Sequence, residues 1–400
     1  MADQVEHAGK PRHRAPRHPV AAPAGRRAVT RGRSRRVRPA RTARLSRTVV
    51  ALTLAAITLG GLTSAAAGAF VDNTTVIYDV YGQRLDAHDG DLLQGPDGTL
   101  YLYGTSYGCG FRLGVVGSAY CGVRIYSTRD LRTFTPAGSV GGMYAFDHLS
   151  AEWQTLCAPP AFGCFRPHVV RRPADGRYVM WLNVHSRPGY VTMVADSPAG
   201  PFAPTGITPT LAVDPGSGLR WGDHDVTIAP DGRGYLTYTV IDPTTNAHAL
   251  VIEELDPTLT IGTARHQVLD IYSGTDLVES PGLFYGPNGA WYLTYSDPAR
   301  PYMVTGTGIV NGPRNTNDPL SGPWSSPRTL NPTSCSGQPT GVWSVTGSTG
   351  ATTFVYGSDR WEHANPNQTR ANSYFGALTF RANGGTAVDG YICQPSWVLP

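Results

Sequence analysis

The sequence predicts an all-β fold, a five-bladed β-propeller, and three observations carry that expectation. A hairpin phrase recurs five times, every clear copy holds a tight-turn dipeptide, and no stretch of 71–400 sustains a 3.6-residue apolar period.

The first segment stands apart from this pattern. Residues 1–47 hold fourteen of the 33 basic residues and two of the 29 acidic ones, a composition that cannot build a core and reads as a disordered basic arm. Residues 48–69 turn apolar and end in small residues (Ser64, Ala65, Ala66, Ala67, Gly68, Ala69), which reads as a signal-peptide core with its cleavage site. The arm is then a long n-region rather than a nucleic-acid-binding tail, and no nucleic-acid partner is expected. If the segment is not cleaved, its length allows a signal anchor, the one route to a membrane. Without the arm, 19 basic residues face 27 acidic ones, a net of −8, so no basic partner surface remains. A secreted monomer is expected, held at the cell surface only if the anchor persists.

Residues 71–400 form the expected propeller domain. The repeat copies read DLLQGPDGTLYLYGTS from Asp91, HVVRRPADGRYVMWLNV from His168, VTIAPDGRGYLTYTV from Val226 and GLFYGPNGAWYLTYS from Gly282, with a degenerate SVTGSTGATTFVYGSD from Ser344. Asp-Gly and Asn-Gly supply the positive φ angles of tight hairpin turns, so each copy predicts an inner hairpin. Between copies, YSTRDLRTF (126–134), ADSPAGPF (195–202) and NDPLSGPW (317–324) mark a second, outer strand pair. Two hairpins per repeat predict four-stranded blades, five of which close a ring.

All six cysteines follow the export signal, which predicts disulfides. Cys109–Cys121, Cys157–Cys164 and Cys335–Cys393 is the expected pairing among fifteen connectivities. No CxxC pair points to a metal.

Inner strands of a propeller converge on its axis, so polar residues at the repeat starts project into the central funnel. Asp86-Ala87-His88-Asp89-Gly90-Asp91 precedes the first repeat, Trp221-Gly222-Asp223-His224-Asp225 the third, and Val278-Glu279-Ser280-Pro281 the fourth. Carboxylates beside apolar strand starts cost folding free energy unless they are paired or functional. Turn and capping roles compete for Asp91 and Asp223, less so for Glu279, because glutamate is a poor turn residue. Acidic residues from three blades in one pocket suit glycoside hydrolysis, in which one carboxyl protonates the leaving oxygen and another activates water.

On these residues, 71–400 resembles glycoside hydrolase family 43, the five-bladed propeller enzymes acting on arabinan, xylan and galactan. The resemblance implies Asp89 as general base, Asp225 as the residue tuning the acid, and Glu279 as general acid. Blades II to V are most similar to the exo-β-1,3-galactanase branch through Arg166-Pro167-His168, His224-Asp225-Val226-Thr227, Glu279-Ser280-Pro281, Ser336-Gly337-Gln338 and Asp359-Arg360-Trp361. That branch carries glycines where this chain has Asp89 and Asp91, and a glutamate where it has Phe165. It also implies a water-holding role for Gln338. His88, Arg166, His168 and Arg360 are candidate substrate partners, and Trp221 and Trp361, with Trp153 and Tyr107, are candidate stacking surfaces.

The expected function is therefore a secreted inverting hydrolase of arabinofuranosyl, xylosyl or galactosyl linkages in plant or cell-wall polysaccharides. The mechanism requires no cofactor, and Ca2+ in the central channel is compatible with the resemblance. The alternative is a non-catalytic carbohydrate-binding propeller, which would have no reason to keep Asp89, Asp225 and Glu279 at three separate blade starts.

Overall fold

A computed structural model describes residues 68–400 except 113–114, 116–117, 159–162, 186–188, 214–217, 270, 272–277, 298–304, 362–367, 382–387 and 389. The expected basic arm and nearly all of the signal segment lie outside the described residues. No described helix is long and apolar enough to cross a membrane.

Four blades are four-stranded antiparallel sheets in simple up-and-down order. After β1 (Ala69–Asp72), blade I holds β2 (His88–Gln94), β3 (Leu100–Thr105), β4 (Val123–Thr128) and β5 (Thr135–Pro136). Helix α1 (Ala151–Cys157) leads to blade II, with β6 (Cys164–Arg171), β7 (Tyr178–Val184), β8 (Tyr190–Ala195) and β9 (Ala203–Pro204). Blade III is β10 (Arg220–Ile228), β11 (Gly234–Asp242), β12 (Ala247–Leu255) and β13 (Gly262–Leu269). Blade IV is β14 (Glu279–Tyr285), β15 (Ala290–Asp297), β16 (Gly306–Arg314) and β17 (Arg328–Asn331). The fifth departs from the expected four strands: β18 (Gln338–Thr346), β19 (Thr352–Arg360) and β20 (Asn372–Leu378) form a three-stranded sheet.

Beside β20 the two ends of the domain meet. β1 pairs with β21 (Ser396–Leu399) in register from Ala69 opposite Leu399 to Asp72 opposite Ser396. The folded pairing thus begins two residues before the expected boundary at 71. The Asn73 side chain stitches this pair to β20 by donating to the Phe375 carbonyl at 2.7 Å and accepting from its amide at 3.1 Å.

The five inner hairpins turn at Gly98, Gly176, Gly232, Gly289 and Gly350, all with φ between 73° and 89°, as the Asp-Gly and Asn-Gly signals require. Successive inner strands β2, β6, β10, β14 and β18 neighbour one another around the axis, and β18 returns to β2. Five hydrophobic clusters fill the five blade interfaces. Each blade is therefore covered on both faces, and the second strands are continuously buried: every residue of YVMWLNV in β7 and of AWYLTYSD in β15 is buried. The three disulfides are Cys109–Cys121, Cys157–Cys164 and Cys335–Cys393, the expected pairing.

Candidate active site

Every inner strand carries a register shift near its entry: between His88 and Asp91, Phe165 and His168, Trp221 and His224, Glu279 and Gly282, and Pro339 and Gly341. A β-bulge leaves a residue out of the ladder and re-aims its side chain. Three bulges hold a non-glycine residue at positive φ, Asp89 (49°), Arg166 (53°) and Ser280 (54°), a conformation that costs about 1–3 kcal/mol and persists only where surrounding structure enforces it. Proline follows Arg166 and Ser280 and costs the ladder nothing there, since a bulge needs no donor.

The re-aimed side chains meet on the axis around Arg166. This guanidinium is 2% exposed. Its Nη1 donates to Ser280 Oγ (3.2 Å) and pairs with Asp223 Oδ2 (3.4 Å), and Nη2 donates to the Thr340 carbonyl (3.3 Å). Ser280 Oγ donates to Asp223 Oδ2 at 2.9 Å. Asp89 and Glu279 flank this cluster and keep partial exposure. Burial pushes the Glu279 carboxyl up to about 8, the Asp223 charge adds to the rise, and Arg166 and the Gln338 amide oppose it. Burial likewise raises Asp89 to about 7, against the pull of Thr105 and Arg166 and with the repulsion of Asp359 and Asp223.

Gln338 is held at both ends. Trp361 Nε1 donates to its Oε1 at 3.2 Å, and its Nε2 donates to Glu279 Oε1 at 2.9 Å. An indole N–H can only donate, so the amide oxygen must face Trp361 and the amide nitrogen must face the glutamate.

Behind Asp89 lies a second layer. The Asp359 carboxylate accepts from the Asp89 amide. His88 sits between Asp86 (3.6 Å) and Asp359 (3.5 Å); burial works against its charge, but the two carboxylates raise its pKa to about 10. Asp86 is held at about 2: burial opposes ionisation, and His88, Arg124 and Ser106 outweigh it. The bulge carrying Asp89 thus rests on a carboxylate–imidazolium–carboxylate stack.

The structure separates the other sequence-derived candidates. Asp225, expected beside Glu279, instead accepts from the Leu283 amide (2.7 Å) and Thr227 (3.2 Å) and contacts His168 Nδ1 (2.9 Å), bracing blade III to blade IV and blade II. The blade III carboxylate that reaches Arg166 is Asp223, two residues earlier, because the bulge turns it to the axis. Asp91 accepts from the Leu92 and Val169 amides and the Trp343 indole. Asp91 and Asp225 line a separate cavity of about 460 Å³ toward the other end of the inner strands. Arg360 donates to the Cys335 and Asn73 carbonyls and covers the Tyr374 ring at 4.9 Å, which makes it a brace for blade V. Trp361 is buried and orients Gln338. Trp221 lies farther out, stacked on Tyr190 with ring centroids 5.4 Å apart.

Sequence reasoning gave no role to Ser280, Thr340, Asp359 and Asp86, and ranked Asp223 below Asp225. The available signal was the proline or glycine in each strand entry (Gly90, Pro167, Gly222, Pro281, Pro339), which marks a bulge. Among the described residues no cluster of three or more His, Cys, Asp or Glu could hold a metal ion. Calcium seeks six to eight oxygen ligands, whereas the channel carboxylates Asp91 and Asp225 already accept from backbone and side-chain donors, so the channel does not fit that ion and no step runs through it.

The family model for glycosyl hydrolases family 43 matches residues 114–379. The chain belongs to this family. Family 43 is a family of glycosyl hydrolases. Its fold is similar to that of a family 43 β-1,3-galactosidase, with TM-score 0.60, 17% identity and coverage of 83% of this chain and 64% of that one. It is similar to a protein named as an exo-β-1,3-galactanase from Bifidobacterium bifidum s17, with TM-score 0.60, 22% identity and coverage of 79% and 93%. An endo-arabinase from Bacteroides thetaiotaomicron VPI-5482 aligns with TM-score 0.52, 18% identity and coverage of 77% and 99%. The chain spans just under two thirds of the β-1,3-galactosidase. No curated protein matches it.

Proposed function

We propose that this family 43 glycosidase is an exported, inverting hydrolase of galactosyl, arabinofuranosyl or xylosyl linkages, with Glu279 as general acid and Asp89 as general base. The observation that carries the reading is the opposed pair of raised carboxyls, Glu279 and Asp89, on two blade entries flanking Arg166. An acid must keep its proton near neutral pH, and a desolvated glutamate beside Asp223 does so. A base must lose its proton just below the working pH, and the lower value of Asp89 suits that role.

The geometry supports parts for the neighbours. Gln338 occupies Glu279 Oε1, which leaves Oε2 for the transferable proton. Asp223, in place of the expected Asp225, supplies the negative charge that keeps the acid protonated. Arg166 keeps that charge from overwhelming the site. Asp359 and His88 fix the Asp89 bulge so that its carboxylate addresses the water. Gln338, with both ends of its amide engaged, positions the acid.

Among the candidate substrates β-1,3-galactan comes first, because two of the similar structures carry galactosidase or galactanase names. The test is hydrolysis of β-1,3-galactan, arabinan and arabinoxylan by the purified protein, with the anomer of the first-formed product read by proton NMR. Inversion on one of these polymers is expected. Retention, or turnover of none, contradicts the assignment.

A further inference from the structure

A cavity of about 490 Å³ opens on the same face as the bulges, farther out along blade II. Its walls include Trp153 and Glu152 of α1, Tyr190 at the entry of β8, the 206–211 segment and Trp221 at the entry of β10. This size lies within the range of small-ligand sites. Trp221 belongs to the same bulge that sends Asp223 to the axis, so one bulge presents an aromatic wall outward and a site carboxylate inward. The Gly222 carbonyl between them accepts from Tyr190 Oη at 2.8 Å.

The wall is rigidly built. The Trp221 indole donates to the Val213 carbonyl at 2.7 Å. Glu253, fully buried, pays for its burial by pinning the adjoining backbone: it accepts from the Ala212 amide at 2.9 Å, the Ala264 amide at 3.2 Å and Tyr238 Oη at 3.0 Å. The Gly262 amide holds the Thr210 carbonyl at 2.9 Å. Blade III thus spends a buried carboxylate on a loop that the axial chemistry does not use. The lining joins aromatic rings (Trp153, Tyr190, Trp221) to hydroxyls on the exposed Thr208 and Thr210, with Glu152 at the rim. The three rings are buried, so each offers only a limited apolar surface; that surface beside hydroxyl and carboxylate acceptors suits a sugar, whose C–H groups pack against it while its hydroxyls donate.

We propose that this cavity is a second carbohydrate subsite. It holds neutral sugar residues of a chain whose cleaved linkage lies at the axis, on the far side of Gly222. The proposal rests on the glycosidase reading, and it makes the protein favour chains over single-sugar glycosides. Glu152, the one charged group in the lining, disfavours uronic acids.

The experiment compares the full chain with Thr208→Trp, which fills the cavity from an exposed position, and with Glu152→Ala. kcat/KM is measured on an aryl glycoside of one sugar and on the matching tri- to hexasaccharides. The ratio of long to short substrate should fall at least tenfold in Thr208→Trp, through KM, and by a smaller factor in Glu152→Ala. An unchanged ratio in Thr208→Trp overturns the subsite while leaving the glycosidase reading intact. Calorimetric titration with β-1,3-galactotriose, arabinotriose and xylotriose separates the two claims further. If the protein hydrolyses nothing yet binds a trisaccharide, and Thr208→Trp loses that affinity tenfold, the cavity stands and the hydrolase reading falls. If no trisaccharide binds, the cavity proposal falls.

Discussion

Glu279 accepts from Gln338 through Oε1, and Gln338 is in turn fixed by the Trp361 indole, so a proton on Glu279, the proposed acid, is confined to Oε2. Loss of that chain of donors removes a contact that favours the ionised form, which moves the acid's pKa up. Trp361→Phe is expected to shift the alkaline limb of kcat/KM to higher pH and to cost about tenfold in rate through looser positioning; an unmoved limb would mean that Gln338 does not contact the acid in solution. For the unmodified protein the sign of each limb follows from the two proposed roles. Activity rises as Asp89 loses its proton through about 7 and falls as Glu279 loses its own through about 8, which gives a narrow bell between those values. The same residues should weaken the fold. A carboxyl raised above its unfolded value, about 4, binds more protons folded than unfolded, so its contribution to stability falls as pH rises from about 4 to the raised value, about 7 for Asp89 and about 8 for Glu279. Asp89→Asn should therefore raise Tm at pH 8, on the order of 2 °C or more, and make little difference at pH 4. A lower Tm at pH 8 would show that Asp89 is a structural carboxylate.

At the scale of the strand, hairpins were legible and bulges were not. Asp-Gly and Asn-Gly between apolar runs specify turn and strand by local chemistry alone, and four of the five inner hairpins announce themselves that way. A register shift leaves a weaker signal, because whether Asp223 or Asp225 reaches Arg166 depends on one extra residue in the ladder between Trp221 and His224. Motif spacing singled out Asp225, which the ladder keeps, whereas the bulge presents Asp223 to Arg166. Asp89 stands next to Gly90 and Glu279 two residues before Pro281, so both fall at strand entries that the sequence marks. Gly90 tests the role of these bulges. A Cβ there would lie 1.9 Å from the Tyr103 carbonyl oxygen, so Gly90→Ala must push β2 off β3 and swing Asp89 away. Activity is expected to fall at least tenfold, and more than that of a destabilised control with an intact bulge; full activity would show that the bulge geometry is dispensable.

Over the whole molecule, closure of the ring decides whether the entries stay in register. The sequence foretold the repeat count, the disulfides and the inner hairpins, but not the three-stranded fifth blade or the pairing of β1 with β21, since contacts between chain ends leave no local trace. Cys335–Cys393 closes a span of 58 residues and lies three residues before Gln338. Replacing both cysteines by alanine should lower stability by about 2–4 kcal/mol, read by denaturant titration, and raise KM as Gln338 loosens. Unchanged stability would mean that the pairing of the ends alone closes the ring.

The most direct test of the acid and base assignment is kcat/KM for Glu279→Gln and Asp89→Asn on two substrates, a natural oligosaccharide and an aryl glycoside with an activated leaving group. An activated leaving group needs little protonation, whereas every substrate needs its water activated. Glu279→Gln should therefore lose at least 100-fold more on the oligosaccharide than on the aryl glycoside, while Asp89→Asn fails equally on both. Equal loss on both substrates for Glu279→Gln, with substrate-dependent loss for Asp89→Asn, would show that the two roles are exchanged.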